Sequence, residues 1–226
     1  MCYNKDMKIA SLVFLILFGV SSLVHLYFCF KEKERYRFIT KPFCLSFLTL
    51  AAIFYAPTEP LIYVGSLFGL GGDVFLLKKH NKVAFFIGML LFIGGHILYL
   101  FALLKGFNSL TWISYLVFGI SLLVVGAIFY IFTRKLAGPV TAIVGSLYMA
   151  LLLCLLGFGV AASIVHEAHR ISGILFALGY TSFFISDMIL VITKFVKDIK
   201  RRDFYIMIFY LLAETLIVVG LCLLLG

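Results

Sequence analysis

Four ionisable side chains lie well inside long apolar runs of this 226-residue sequence: Asp73, His96, Asp187 and Glu214. A charge at the centre of a membrane-spanning helix costs roughly 2.5–3.5 kcal/mol on insertion scales, so such residues usually face a cavity or a partner. An apolar cavity favours the protonated form of a carboxyl group, which can then act as a general acid near neutral pH. These residues therefore indicate acid–base chemistry between helices.

Each aspartate adjoins a stripe of small residues on one helical face. The stripes are formed by Gly65, Gly69 and Gly72 before Asp73, and by Gly179, Ser182 and Ser186 before Asp187. Small residues let two helices approach closely, so both carboxyl groups are predicted to point into the bundle and not toward lipid. The simpler interpretation is that each aspartate only hydrogen-bonds a neighbouring helix.

Two further pairs of polar residues have helical spacing. Tyr99 follows His96 by three residues and Glu214 follows Tyr210 by four, so each pair shares a helix face. If these faces turn inward, they join the two aspartates in one apolar cavity. A metal ion bound by the acids and the histidine is chemically allowed. We expect no metal and no cofactor, however, and the five cysteines form no CxxC pair.

Several classes of protein are not favoured by the sequence. It contains no Gly-x-Ser-x-Gly elbow, no P-loop and no dinucleotide fingerprint. The formal net charge of +9 is no nucleic-acid signal here, because the basic residues lie in loops and are explained by membrane topology.

The composition requires a bilayer as solvent, since 64% of the residues are hydrophobic and only 13% are charged. We predict an all-α polytopic transmembrane bundle that forms a single integral membrane domain over 1–226. The expected spans are about 7–30, 42–56, 61–77, 83–104, 111–132, 139–165, 171–193 and 204–225. The second is short for a ~30 Å hydrocarbon core and ends at Pro57 and Pro60, so we expect it to tilt little or to enter incompletely.

Basic residues are distributed unequally between the two sets of loops. Fifteen lie in the loops after the odd-numbered spans and four on the other side. The positive-inside rule therefore places both termini outside, and we expect the inner membrane of a bacterium. Asp73 is five residues from Lys78 and Asp187 seven from Lys194, which is ~7 and ~10 Å along a helix. Both carboxyl groups are thus predicted in the cytoplasmic half.

The two aspartates suggest an internal repeat. They lie 114 residues apart, and each is followed after 23 residues by a polar ring, His96 and Tyr210 respectively. Because an even number of spans separates them, the repeat would be parallel.

The residues around these sites resemble the YhhN family of membrane proteins. The third and fourth spans carry the family's G-D…F…G…F…H..Y run, and a P-V…Y segment, an F..S-D..L motif and a closing Y..A follow. The matching residues are Lys41-Pro42, Gly72-Asp73-Val74, Phe86, Gly88, Phe92, His96, Tyr99, Pro139-Val140, Tyr148-Met149, Ser186-Asp187, Leu190, Tyr210 and Ala213. Glu214 stands where the family usually has Gln.

The resemblance implies hydrolysis of the vinyl ether bond of lysoplasmalogens to a fatty aldehyde and a glycerophospho-ethanolamine or -choline. Protonation of the vinyl β-carbon gives an oxocarbenium ion that water captures, which needs one acid and one carboxylate. We expect Asp73 and Asp187 in these roles, with either as the acid. Residues expected to position substrate or water are His96, Tyr99, Tyr148, Tyr210 and Glu214, and the candidates for binding the lipid phosphate are Lys41, Lys78 and Lys79.

Two other functions are compatible with the same residues. A small proton-coupled transporter would also bury two acids, a histidine and tyrosines in a bundle. A non-catalytic lipid-binding protein would not need both carboxyl groups to ionise. Release of free aldehyde from an alkenyl lysophospholipid would separate the hydrolase from both.

Overall fold

The computed structural model describes residues 2–77, 81–107, 112–165 and 167–226, and within them the chain is helical. This confirms the predicted all-α class. The helices are α1 (Cys2–Phe30), α2 (Glu34–Tyr55), α3 (Pro60–Leu76), α4 (Lys82–Gly106), α5 (Trp112–Ala137), α6 (Pro139–Val165), α7 (Arg170–Phe195) and α8 (Arg202–Leu225), with a turn of 3₁₀ helix at Glu167–His169.

Six helices in the described part of the chain are long and apolar enough to cross a membrane, namely α1, α2, α4, α6, α7 and α8. The helix α3 has 17 residues. At 1.5 Å per residue it extends roughly 26 Å, slightly less than the hydrocarbon core. Its first residue is Pro60, which suits a helix start because the missing N–H would have no partner there.

The second span differs from its predicted range. Helix α2 begins at Glu34 and has 22 residues, with Pro42 inside it, so it is not short. Proline removes one hydrogen bond but leaves the rest of the ladder. The charged residues before it, Arg37 and Lys41, form ion pairs with Asp203 and Asp73. From the sequence, these charges suggested a loop before residue 42. In the structure, the two ion pairs instead hold the first turns of α2 against the bundle.

Helix α8 lies at the centre of the arrangement and packs against α1, α2, α3, α4 and α7. Helix α5 lies at the periphery against α6, and outward-facing side chains such as Leu123 and Phe132 are 73% and 77% exposed. The core between the helices is built from leucines and aromatic rings, including Leu45, Phe176 and Ile217. The fold therefore surrounds one helix that carries Tyr210 and Glu214.

Polar contacts join helix ends at both ends of the bundle. At the end where α1, α3, α5 and α7 finish, which we call the basic end, Arg37 pairs with Asp203 at 2.7 Å. There the Arg201 backbone N–H also donates to Glu32 Oε1 at 3.1 Å. At the opposite end Lys105 Nζ donates to Glu59 Oε2 at 2.6 Å. The described helix ends next to the basic stretches around Arg37 and Arg201 thus meet at one end, while the side of the membrane that this end faces stays a prediction.

The small-residue stripes lie between helices, as predicted. A methyl group at Gly65 would lie 3.3 Å from the Gly95 carbonyl oxygen, and one at Gly179 would lie 3.1 Å from that of Ala213. Backbones this close leave no room for a side chain. The stripes therefore fix α3 against α4 and α7 against α8. The parallel repeat stays a prediction.

We expect Gly69→Leu to destabilise the protein by about 1–3 kcal/mol, the usual cost of overpacking. A methyl group at Gly69 would already lie 3.1 Å from Leu45 Cδ2 and 3.5 Å from Glu214 Oε1. Thermal unfolding in detergent measures the effect, with Gly19→Leu as the control because a methyl group there meets no described atom within 4 Å. Equal unfolding temperatures for the two variants would show that Gly69 packs against nothing rigid.

Candidate functional site

A cavity of about 320 Å³ extends from the basic end into the bundle, and all eight helices contribute to its wall. Among the residues in the wall are both predicted catalytic aspartates, together with Tyr148 and Tyr210. Asp73 follows the glycine stripe of α3 and Asp187 the corresponding stripe of α7. The close helix contacts at these stripes place both carboxyl groups at the same cavity.

Asp73 is held by two partners on other helices. Its Oδ1 lies 2.9 Å from Lys41 Nζ on α2, and the Tyr210 hydroxyl of α8 donates to its Oδ2 at 2.8 Å. Asp73 is only 2% exposed. An ammonium group and a phenolic O–H both stabilise the ionised form of a carboxyl group. Asp73 therefore has the surroundings of a carboxylate.

Asp187 has different surroundings. The Tyr148 hydroxyl of α6 donates to its Oδ2 at 2.6 Å. In the described part of the chain no lysine or arginine forms an ion pair with Asp187, which is also less buried than Asp73. Among the described residues, none forms a hydrogen bond with its second oxygen, Oδ1. Two carboxyl groups of unlike environment thus face the same space.

The other predicted polar residues lie behind the cavity wall. Tyr99 donates to Glu214 Oε2 at 3.2 Å, and His96 Nδ1 lies 3.1 Å from the Tyr180 hydroxyl. Neither His96, Tyr99 nor Glu214 is among the described lining residues. The sequence therefore overestimated how many polar groups share one cavity. These residues support the wall, since the ring of His96 lies 5.8 Å from that of Tyr148.

The predicted phosphate-binding lysines have separate outcomes. Lys41 lines the cavity, but its ammonium group is engaged by Asp73. Lys78 and Lys79 lie outside the described residues. The phosphate role of all three stays a prediction.

Three basic residues in the cavity wall were not identified as site residues by the sequence analysis: Arg37, Lys194 and Arg202. Arg37 pairs with Asp203 and Arg202 with Asp198. Lys194 Nζ lies 3.4 Å from the centroid of the Phe85 ring, and no acidic side chain of the described residues pairs with it. In the sequence these residues are indistinguishable from topology signals. Their position leaves Lys194 as a cation available at the cavity mouth.

His25 was also missed, although it lies inside the first span. Thr40 Oγ1 donates to the Tyr36 carbonyl oxygen at 2.9 Å, so at 2.7 Å it accepts from His25 Nδ1–H. The other nitrogen, Nε2, then accepts from the Cys29 thiol at 3.4 Å. The i, i+4 spacing of His25 and Cys29 was the available signal. This chain of contacts joins α1 to α2 beside the cavity.

The fold is that of a polytopic membrane protein, in which two aspartates line one cavity between the helices. Residues 36–221 match the model of the YhhN family, so the chain belongs to that family. No curated protein and no solved structure matches the chain. Within the described residues, no three His, Cys, Asp or Glu side chains are grouped so as to hold a metal ion.

Proposed function

We propose that this protein hydrolyses the vinyl ether bond of lysoplasmalogens, giving a fatty aldehyde and a glycerophospho-ethanolamine or -choline. The observation that carries the proposal is the unlike surroundings of Asp73 and Asp187 at one intramembrane cavity. Lys41 and Tyr210 bind Asp73, whereas Tyr148 is the only described side chain that hydrogen-bonds Asp187. Acid-catalysed addition of water to a vinyl ether uses a proton donor and a proton acceptor, and two carboxyl groups of unlike environment can supply one each.

The surroundings favour Asp187 as the acid. Its Oδ2 accepts the Tyr148 hydrogen bond, which leaves Oδ1 to carry the proton that moves to the vinyl β-carbon. The π electrons of the double bond form the new C–H bond at the β-carbon. The α-carbon and the ether oxygen are left as an oxocarbenium ion. The Tyr148 O–H stabilises the Asp187 carboxylate that remains.

Asp73 suits the second role. A carboxylate facing the cavity stabilises the oxocarbenium ion and accepts a proton from the water that adds to it. After each turnover Asp73 gives up this proton to solvent and Asp187 takes one up, which restores both groups. The product is a hemiacetal, which breaks its C–O bond to the glycerol as its hydroxyl proton moves to the departing oxygen. The products are the aldehyde and the glycerol alcohol. Lys41 fixes the orientation of Asp73 and balances its charge.

The residues that line the cavity suit a lipid with an anionic headgroup. Its mouth at the basic end carries Lys194, whose charge complements a phosphate group, beside the ion-paired Arg37 and Arg202. Its interior is lined mainly by apolar side chains such as Met89, Phe129 and Leu190. Asp73 and Asp187 line the same cavity as these charged and apolar residues, so the bond between glycerol and chain would be placed beside the two carboxyl groups.

Purified protein in vesicles with an alkenyl lysophospholipid tests the proposal. We expect release of free aldehyde, and none from the saturated alkyl analogue, which lacks the double bond that accepts the proton. A proton-coupled transporter would instead change the internal pH of the vesicles without forming aldehyde. A protein that only binds lipid would do neither, and either result would refute the hydrolase proposal.

Lys194 is expected to bind the phosphate group. We expect Lys194→Ala to raise KM by roughly ten- to a hundredfold, the effect of losing a hydrogen bond to a charged group, with kcat nearly unchanged. Lys200→Ala is the matched control, because Lys200 is exposed and is not among the described lining residues. Steady-state aldehyde release measures both constants. An unchanged KM for Lys194→Ala would exclude this role.

A further inference from the structure

The cavity has two unlike sides. Its polar side is formed by α1, α2, α3 and α8, which contribute His25, Arg37, Lys41, Asp73 and Tyr210. The other side is formed by α4, α5, α6 and α7. Its apolar lining residues include Phe85, Met89, Phe92, Phe129, Leu136, Met149, Phe183 and Leu190. Asp187 and Tyr148 lie on the helices of this second side and hydrogen-bond each other.

One face of α6 forms much of the apolar side. Thr141, Gly145, Tyr148 and Met149 all line the cavity. Their spacing of three and four residues places them on a single helical face. A methyl group at Gly145 would meet no described atom within 4 Å. Because its neighbours on this face border the cavity, the space beside Gly145 is cavity space.

Helix α5 closes this space from outside. Phe129, Thr133 and Leu136 lie on one face of α5 and line the cavity opposite α6. The outer face of α5 carries side chains such as Ile128 and Phe132, which are 59% and 77% exposed. The apolar side of the cavity is therefore separated from the outer, lipid-facing surface by a single peripheral helix.

We propose that the space between α5 and α6 is the subsite for the hydrocarbon chain of the substrate, and that Gly145 determines how much chain it admits. The occupant is a single-chain lipid with an anionic headgroup, because the mouth of the same cavity carries Lys194, with which no acidic side chain of the described residues forms an ion pair. Gly145 lies three residues, about one helical turn, from Tyr148, so a chain attached to a bond that reacts at Asp187 would reach this space directly. This inference rests on the proposed function for the nature of the substrate.

A leucine at Gly145 tests the subsite. Binding is measured with saturated alkyl lysophospholipids of short and long chain, which bind without being cleaved. We expect Gly145→Leu to weaken long-chain binding by about ten- to a hundredfold and short-chain binding much less, as expected when a side chain fills part of an apolar pocket. The wild-type protein and Gly157→Leu provide the comparison. Gly157 lies on the same helix, is exposed, and has no described atom within 4 Å of an added methyl group.

Several results would overturn the inference. They are no loss of binding in Gly145→Leu, an equal loss for both chain lengths, or the same loss in Gly157→Leu. If Gly145→Leu unfolds, Gly145→Ala serves instead, because alanine suits a helix better than glycine and should shift the chain-length preference in the same direction. Failure of wild-type protein to release aldehyde would refute the proposed hydrolysis. The chain-length dependence of alkyl lipid binding would still test the subsite.

Discussion

Asp187→Asn is expected to lose about 10²–10⁴-fold in kcat, the usual contribution of a general acid. Asparagine keeps the size of the side chain and its carbonyl oxygen still accepts the Tyr148 hydrogen bond, so the fold should remain intact. Only the transferable proton is removed. Aldehyde release measured on the purified variant, with thermal unfolding alongside, gives both quantities.

The matched control for this variant is Asp6→Asn, because Asp6 is exposed on α1 and is not among the described lining residues. It should retain wild-type kcat. If a folded Asp187→Asn protein released aldehyde at the wild-type rate, Asp187 would have no part in the mechanism. If Asp6→Asn lost activity equally, the effect would reflect a general change of charge.

Asp73→Asn is expected to lose both activity and stability. The substitution leaves the Lys41 ammonium without its carboxylate, and the Lys41 side chain is only 15% exposed. Breaking a buried pair from one side typically costs about 3–5 kcal/mol. Loss of the carboxylate should also lower kcat by about 10²–10⁴-fold. The two substitutions are thus expected to differ in their effect on folding, although each is expected to abolish most of the turnover.

A second substitution separates these two effects of Asp73. Adding Lys41→Met to Asp73→Asn removes the unpaired charge, so the unfolding temperature should recover while activity stays lost. If the protein with both Lys41→Met and Asp73→Asn recovered aldehyde release together with stability, Asp73 would have a purely structural role.

The double variant Asp73→Asn, Asp187→Asn should be little less active than either single variant, because the effects of residues that act as a unit are not additive.

The sequence predicts which helix faces carry the two aspartates, because the residue types within one helix indicate which of its faces packs against other helices. A carboxyl group inside an apolar run must face other helices, and the small residues before Asp73 and Asp187 identify the face on which they do so. The partner of each group is not encoded locally. Tyr148 lies on α6 and Lys41 on α2, and nothing in either segment indicates which aspartate it meets.

Other features escaped the sequence for a related reason. Charged residues at helix ends look alike whether they only orient the protein in the membrane or line a cavity, so Lys194 was counted as a topology signal. His25 lies in an apolar span, and its importance is visible only through Thr40 on the next helix. Conversely, His96 and Glu214 have the residue types of a site but lie behind its wall.

The sequence by itself determined the class of protein, the number of helices and most of their bounds. In a bilayer each backbone polar group must be satisfied within its own segment, so a long apolar run specifies a helix without reference to its neighbours. Tertiary structure decided the rotation of each helix and the choice of its neighbours, and with them the unlike surroundings of Asp73 and Asp187. These depend on packing between distant segments, because lipid and protein interiors are equally apolar and hydrophobicity alone cannot select one helix contact over another.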